Sequence, residues 1–204
     1  MFTKNGNILK INGNWLNPSD SPVPPEPVPD PFEEVTIGTQ TWMAKGLSID
    51  DGEGGIILKE NVTANSVNFG NQYYYTPEAA IRVASNVEGW HLPSSNELNS
   101  FKSYLSNMAY PLKSTQGWNT YYPPGGGMPM DGNGTDEYGF TAYPIGYLNS
   151  SGNLVNVGYC IYLLSSSDRS PYYIGAYFDT GYSFVNKSDL NTNCYYSVRL
   201  IKDT

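Results

Sequence analysis

Between Pro18 and Pro31 the chain reads PSDSPVPPEPVPDP, with proline at seven of fourteen positions. Proline fixes φ near −65° and offers no amide hydrogen, so it interrupts helices and sheet ladders alike. This stretch is expected to be a stiff, extended polyproline-like spacer. It divides the 204 residues into a short N-terminal element over 1–17, a linker over 18–33 and a main domain over 34–204. The last is long enough for one sizeable core, since single domains commonly run to about 100–200 residues. In the N-terminal element, Asn5-Gly6 and Asn12-Gly13 flank short apolar segments, the pattern of a small hairpin.

Charge narrows the classes of partner. A net charge of −8 and a pI near 4.5 oppose nucleic-acid binding, which draws on a basic footprint to release counterions. They equally oppose docking on an anionic membrane. No apolar run approaches the roughly 20 residues of a membrane span. Met1 to Trp15 lacks the apolar core of a secretory signal, so any export relies on a signal outside this sequence or on another route.

Within the main domain, Val35, Ile37 and Thr39 alternate with a turn expected at Gly38, and Trp42, Met43 and Leu47 are expected in the core. Thr76-Pro77 is a cap followed by a first-turn proline, which predicts a helix over Pro77 to Asn86. Ser94 or Ser95 with Glu97 predicts a second helix opened by a capping box, with Leu98, Phe101 and Leu105 on one face. No helix signal follows about Pro111. Gly52–Gly55, Pro123-Pro124, Gly125–Gly127 and DGNGTDE are expected loops, and Tyr138 to Tyr147 and the residues from Tyr172 onwards alternate like strands. The order is that of an α+β domain with a loop-rich second half.

The segment Tyr159 to Tyr196 carries eight of the 18 tyrosines and both cysteines. Tyr gives a large amphipathic contact at small entropic cost, while Ser, Asn and Gly adapt their hydrogen bonds, which is the composition of a binding surface. Cys160 and Cys194 could close one disulfide or remain thiols. His91 is the only histidine, so a multi-histidine metal cluster cannot form. It reads as a hydrogen-bonded structural residue. Asp131, Asn133, Asp136 and Glu137 supply oxygens at a spacing that could hold Ca²⁺, but they also mark ordinary turns. The expected cofactor is none, with calcium as the minor alternative. Nothing places Asp136 and Glu137 across a cleft for glycoside hydrolysis, and Gly125–Gly127 lacks the Lys-Ser or Lys-Thr of a phosphate loop.

The segments VTIGTQTWMAKGL, YYYTPEAA, EGWHLPSSNEL, LKSTQGWN, NGTDEYGFTAYPIGY, LLSSS and SVRLIKD, in this order, resemble the Fibrobacter major paralogous domain family. The resemblance covers about Glu34 to Asp203. It implies a C-type lectin-like fold of the formylglycine-generating-enzyme branch: two helices, a small twisted antiparallel sheet, and long loops that face a ligand. Some adhesins of this type are diversified by retroelements that mutate adenines in AAC or AAT codons, which cannot yield Met, Trp, Gln, Glu or Lys. Of those five residue types Tyr159–Tyr196 holds Lys187 alone.

The function implied is a non-enzymatic adhesin, carried on a phage tail after assembly in a host cytoplasm with a homotrimer as its expected assembly, that binds a bacterial surface protein or glycan. The candidate contacts are Tyr159, Ile161, Tyr162, Asp168, Arg169, Tyr172, Tyr173, Asp179, Tyr182, Phe184, Asn186, Asn193 and Tyr195. The alternative is a bacterial cell-surface protein of the same fold with a fixed ligand. A third reading is a degenerate copper oxidase using Cys160 and Cys194. The family often has Cys where this chain has Asn86 and Leu200, and the loss of both fits folding in a reducing compartment.

Overall fold

The computed structural model describes residues 10–11, 14–15, 32–169, 172–181 and 186–203; at 10–11, 14–15, 168–169, 172 and 186–188 it describes the backbone alone. Two units are distinguished, Met1–Pro31 and Phe32–Thr204. In the first, β1 (Lys10–Ile11) pairs antiparallel with β2 (Asn14–Trp15), and the two flank Asn12-Gly13 in sequence. The expected polyproline conformation of 18–31 lies outside the described residues. Phe32 and Glu33 belong to the second unit. Phe32 sets its ring edge-on to Trp90 at 5.8 Å, and the Glu33 carbonyl accepts from the Ala44 amide at 2.7 Å.

Two helices and several small antiparallel sheets make the second unit mixed α+β. Its first hairpin joins β3 (Glu34–Ile37) to β4 (Gln40–Met43). Gly38 turns it at φ +65°, and a Cβ there would sit 2.9 Å from the Tyr104 ring, so the turn and its packing both call for glycine. Strand β5 (Ile56–Lys59) pairs with β8 (Gln72–Tyr75), and the short hairpin β6 (Thr63–Ala64) and β7 (Val67–Asn68) lies between them in sequence.

Helix α1 (Pro77–Ala84) starts as its sequence predicts. The Thr76 side chain accepts from the Ala79 amide, and Pro77 sits in the first turn. It stops two residues before Asn86 because Ser85 Oγ and Asn86 Nδ2 both turn back to the Arg82 carbonyl, and the Asn86 amide bonds Val83 in a tighter turn. Strand β9 (Trp90–His91) leads to α2 (Ser95–Tyr104), whose capping box is complete: Ser94 Oγ accepts from the Glu97 amide and Glu97 Oε2 from the Ser94 amide. Such a cap is worth roughly 1 kcal/mol. The predicted apolar stripe of Leu98, Phe101 and Leu105 is buried. Phe101 packs with Trp42 at 4.7 Å and with Phe140 at 5.8 Å.

The alternation over Tyr138–Tyr147 does not make a strand. Apart from β10 (Tyr147–Leu148), which pairs with β11 (Leu154–Val155), the segment is irregular, and its other β-bridges among the described residues are the single ones of Ala142 with Lys113 and Gly146 with Ile161. Side chains hold it instead. Asp136 takes the Thr141 amide and hydroxyl, each at 2.6 Å, while Thr141 adopts φ +47° and Gly146 φ +64°, conformations that break a ladder.

Strands β12 (Cys160–Arg169), β13 (Tyr172–Asp179) and β14 (Asn186–Asn191) form one antiparallel sheet in sequence order. Finally β15 (Ile201–Lys202) inserts between β4 and β9, giving the order β3-β4-β15-β9 and bringing the two ends of the unit together.

Candidate functional site

The Tyr-rich segment builds the β12-β13-β14 sheet almost by itself, and the strand alternation expected from Tyr172 onwards is realised as β13 and β14. Side chains alternate across a strand, and the two faces differ. Ile161, Leu163, Ala176 and Phe178 point into the core cluster that contains Trp42, Phe101 and Phe140. Opposite them, Tyr162 pairs with Tyr177, and Tyr173 and Asp179 follow at the same parity along β13.

A bulge fixes how this sheet sits. Between Leu164 and Asp168 the register with β13 shifts, where β12 runs Ser165-Ser166-Ser167. Ser165 Oγ donates to the Ile174 carbonyl, the Ser166 amide to the Pro93 carbonyl, and Ser167 Oγ accepts from the Ser95 amide at the start of α2. The triple serine thus docks the sheet on the capped helix. At the other end, Lys113 is 1% exposed, donates to the Asp179 carbonyl at 2.9 Å and lies 4.2 Å over the Trp118 ring. Burial pushes its ammonium down to about 8.

Four rings interlock on the tyrosine face. Tyr162 lies 4.7 Å from Tyr177, 5.3 Å from Tyr147 and 5.7 Å from Tyr196, and Tyr147 stacks on Tyr196 at 5.9 Å and 17°. Tyr196 is buried and also closes the turn after β14, accepting from the Asn191 amide and donating to its carbonyl. Tyr147, Tyr162 and Tyr177 are half-buried. Burial raises the hydroxyl pKa of Tyr162 to about 12 and raises those of Tyr147, Tyr177 and Tyr196 as well. These phenols remain neutral donors and acceptors at any ordinary pH.

The predicted contacts divide as follows. Tyr162, Tyr173 and Asp179 share the tyrosine face. Tyr159, 54% exposed, stands just before β12. Asn193 and Tyr195 line a separate open groove with Thr76, Glu78, Ser150 and Cys194. Ile161 is 2% exposed and packed in the core, so it is not presented with Tyr162; the pleat sends the two neighbours to opposite sides. The backbones of Asp168, Arg169, Tyr172 and Asn186 lie in the sheet with their side chains outside the described set, and Tyr182 and Phe184 lie outside the described residues.

Two features escaped the sequence reading. Tyr177 is central to the ring cluster, and the alternation from Tyr173 would have placed it there. Residues 121–130 form a paired arm, with Tyr121 and Met130 exchanging both backbone hydrogen bonds at 2.9 Å. Its Tyr122 and Met128 are 70% and 85% exposed. The arm stands beside the end of β13, where a Cβ on Gly181 would lie 3.0 Å from the Tyr121 ring. Its signal was the apolar pairs Tyr121-Tyr122 and Met128-Pro129-Met130 around Gly125–Gly127.

The groups weighed for chemistry have other tasks. Both cysteines are free; Cys160 is buried, and burial pushes its thiol up to about 12, so it is held protonated. His91 is clamped between Asp203 at 2.6 Å and Glu97 at 2.8 Å. Asp131 accepts from the amide and side chain of Asn133, and Asp136 from Thr141, which directs both carboxylates to their own loop. Among the described residues no group of three His, Cys, Asp or Glu side chains is placed to hold a metal, and no helix is long and apolar enough to cross a membrane.

In comparison with known proteins, the family model of the Fibrobacter succinogenes major domain matches residues 35–202, most of the chain, and the chain belongs to that family. No curated protein and no solved structure matches it.

Proposed function

We propose that this member of the Fibrobacter succinogenes major domain family is a non-enzymatic binding protein that recognises a bacterial surface protein or glycan through the tyrosine face of β12-β13-β14. The observation that carries the reading is the ring cluster itself. Half-buried phenols on a sheet docked to a rigid helix give pre-organised aromatic area, the feature that dominates binding hot spots. The fold fits a C-type lectin-like scaffold of the formylglycine-generating-enzyme branch, and the segment's codon-restricted composition fits retroelement diversification of a phage tail adhesin assembled in the host cytoplasm. A trimer on the tail, with the N-terminal element as its attachment, completes this picture. It needs neither a cofactor nor calcium.

One observation favours a second reading, a bacterial cell-surface domain of the same fold with a fixed ligand. Tyr162 is locked among Tyr147, Tyr177 and Tyr196, and Cys160, Leu164 and Leu190 beside it are buried. A segment so involved in packing tolerates randomisation only at its outward positions.

Binding to arrays of bacterial envelope polysaccharides and peptides tests the function. Saturable binding that is lost in the double variant Tyr159→Ala/Tyr177→Ala and kept in Tyr110→Ala supports it. Binding unchanged by the double variant places the contact elsewhere on the molecule.

A further inference from the structure

A second cleft is walled by residues 44–48, by Phe69 to Tyr73 and by the loop around Tyr143. None of Tyr147, Tyr162, Tyr177 or Tyr196 lines it. Its volume of about 350 Å³ lies at the small end of the roughly 300–1,000 Å³ of ligand pockets. That suits one small residue rather than a chain.

Arg199, one of two buried cations among the described residues, lines the cleft. Arg199, 4% exposed, donates to the carbonyls of Met43, Ala44, Phe140 and Thr141, and its guanidinium lies 4.1 Å from the Phe140 ring centre. All of these partners are neutral. Asp136 offsets part of the charge through its field, although its own carboxylate oxygens accept from Thr141 rather than from Arg199. Burial lowers Arg199 to about 9, still well above neutral pH, so the guanidinium stays charged. A buried charge is costly until an opposite charge offsets it, and this one lies in a chain of net charge −8. At the rim, Lys45 pairs with Glu33 at 3.0 Å, with both side chains mostly in solvent.

The walls add the rest of the chemistry. Phe69, 7% exposed, and Tyr143 stack on each other at 4.9 Å and 26° in the wall, and Ser48, Asn71 and Thr141 bring hydroxyl and amide groups. Aromatic surface beside hydrogen-bonding side chains suits a pyranose, whose faces are apolar and whose rim is hydroxylated. A guanidinium at the base suits a carboxylate.

We infer that this cleft binds a single carboxylate-bearing sugar residue of the hexuronate type, its carboxylate toward Arg199 and its ring against Phe69 and Tyr143. The site is independent of the tyrosine face. Titrating the full chain with sodium glucuronate, glucose and sodium acetate, followed by amide NMR, tests it. Glucuronate is expected to saturate one site with shifts confined to 44–48, 69–73 and 139–145, and glucose and acetate to bind at least tenfold more weakly. Ser48→Trp, at an exposed position on the mouth, is expected to abolish binding, whereas Tyr159→Ala/Tyr177→Ala leaves it unchanged. No saturable glucuronate binding, equal binding of glucose or acetate, or binding that survives Ser48→Trp would each overturn the assignment.

Discussion

Replacing Tyr162 separates a diversified surface from a fixed one. Its ring contacts Tyr147, Tyr177 and Tyr196 at 5.3, 4.7 and 5.7 Å. Aromatic pairs contribute about 0.5–1.5 kcal/mol each beyond the area they bury, so three of them amount to about 1.5–4.5 kcal/mol. Half-burial of the ring adds its own transfer cost, and partial relaxation of Tyr147 and Tyr177 recovers some of the loss. Tyr162→Ser is therefore expected to destabilise the domain by about 2–4 kcal/mol, a large share of the roughly 5–15 kcal/mol that holds an ordinary domain together. Tyr159→Ser, at a position 54% exposed, is expected to stay within about 0.5 kcal/mol of the parent. Urea unfolding followed by tyrosine and tryptophan fluorescence measures both, provided that the slope is unchanged. A loss at Tyr162 below about 1 kcal/mol would refute the interlocking argument, because the rings would then be neighbours without being mutual supports. It would also free Tyr162 for randomisation.

Other outcomes follow from the same geometry. Arg199→Met leaves the carbonyls of Met43, Ala44, Phe140 and Thr141 without their donor and is expected to cost about 3 kcal/mol in urea unfolding; a neutral result contradicts its role as a tie between β4 and the 139–141 loop. At His91 burial opposes the charged form, but the hydrogen bonds to Glu97 and Asp203 outweigh it and raise the pKa. The His91 contribution is therefore complete below its unfolded value of about 6.5 and fades as pH rises through the raised folded value. Unfolding midpoints across pH 6 to 9 should lose that component of their slope in His91→Gln, and an unaltered profile would remove the clamp. Among the thiols, Cys194 is half-exposed and Cys160 buried, so a thiol-reactive disulfide reagent should label the native protein once and the unfolded protein twice. Cys194→Ser should abolish the native reaction; labelling that persists would mean that Cys160 is accessible.

What the sequence disclosed, and what it hid, follows the range of the forces involved. Helix α2 was legible because its signals are local: Ser94 and Glu97 close a box three residues apart, and Leu98, Phe101 and Leu105 share a stripe. The turn at Gly38 was legible for the same reason. The segment 138–146 was misread because its alternation is real but its conformation is imposed by Asp136 and Arg199, the latter some 59 residues away in sequence from the Phe140 carbonyl. Two buried cations, Lys113 and Arg199, were passed over because the carbonyls that accept from them, of Asp179 and of Met43, Ala44, Phe140 and Thr141, are distant in sequence. Arg199 did leave a trace, a charge between the apolar Val198 and Leu200. For the candidate site, composition located the segment but not its faces. The pleat withdrew Ile161 to the core and added Tyr177, while Tyr147, outside the segment, and Tyr196, at its end, joined the cluster through tertiary packing.

The most direct measurement is to sequence this gene and its flanks and search for a second, non-coding copy of the segment encoding Tyr159–Tyr196. The account predicts a copy that differs at adenines, with the differences at codons for outward positions such as Tyr159, Asp189 and Asn193. Codons for the buried Ile161, Leu163, Phe178 and Leu190 should be unaltered between the copies. The absence of any copy, or differences concentrated in the buried codons, would contradict a diversified binding surface.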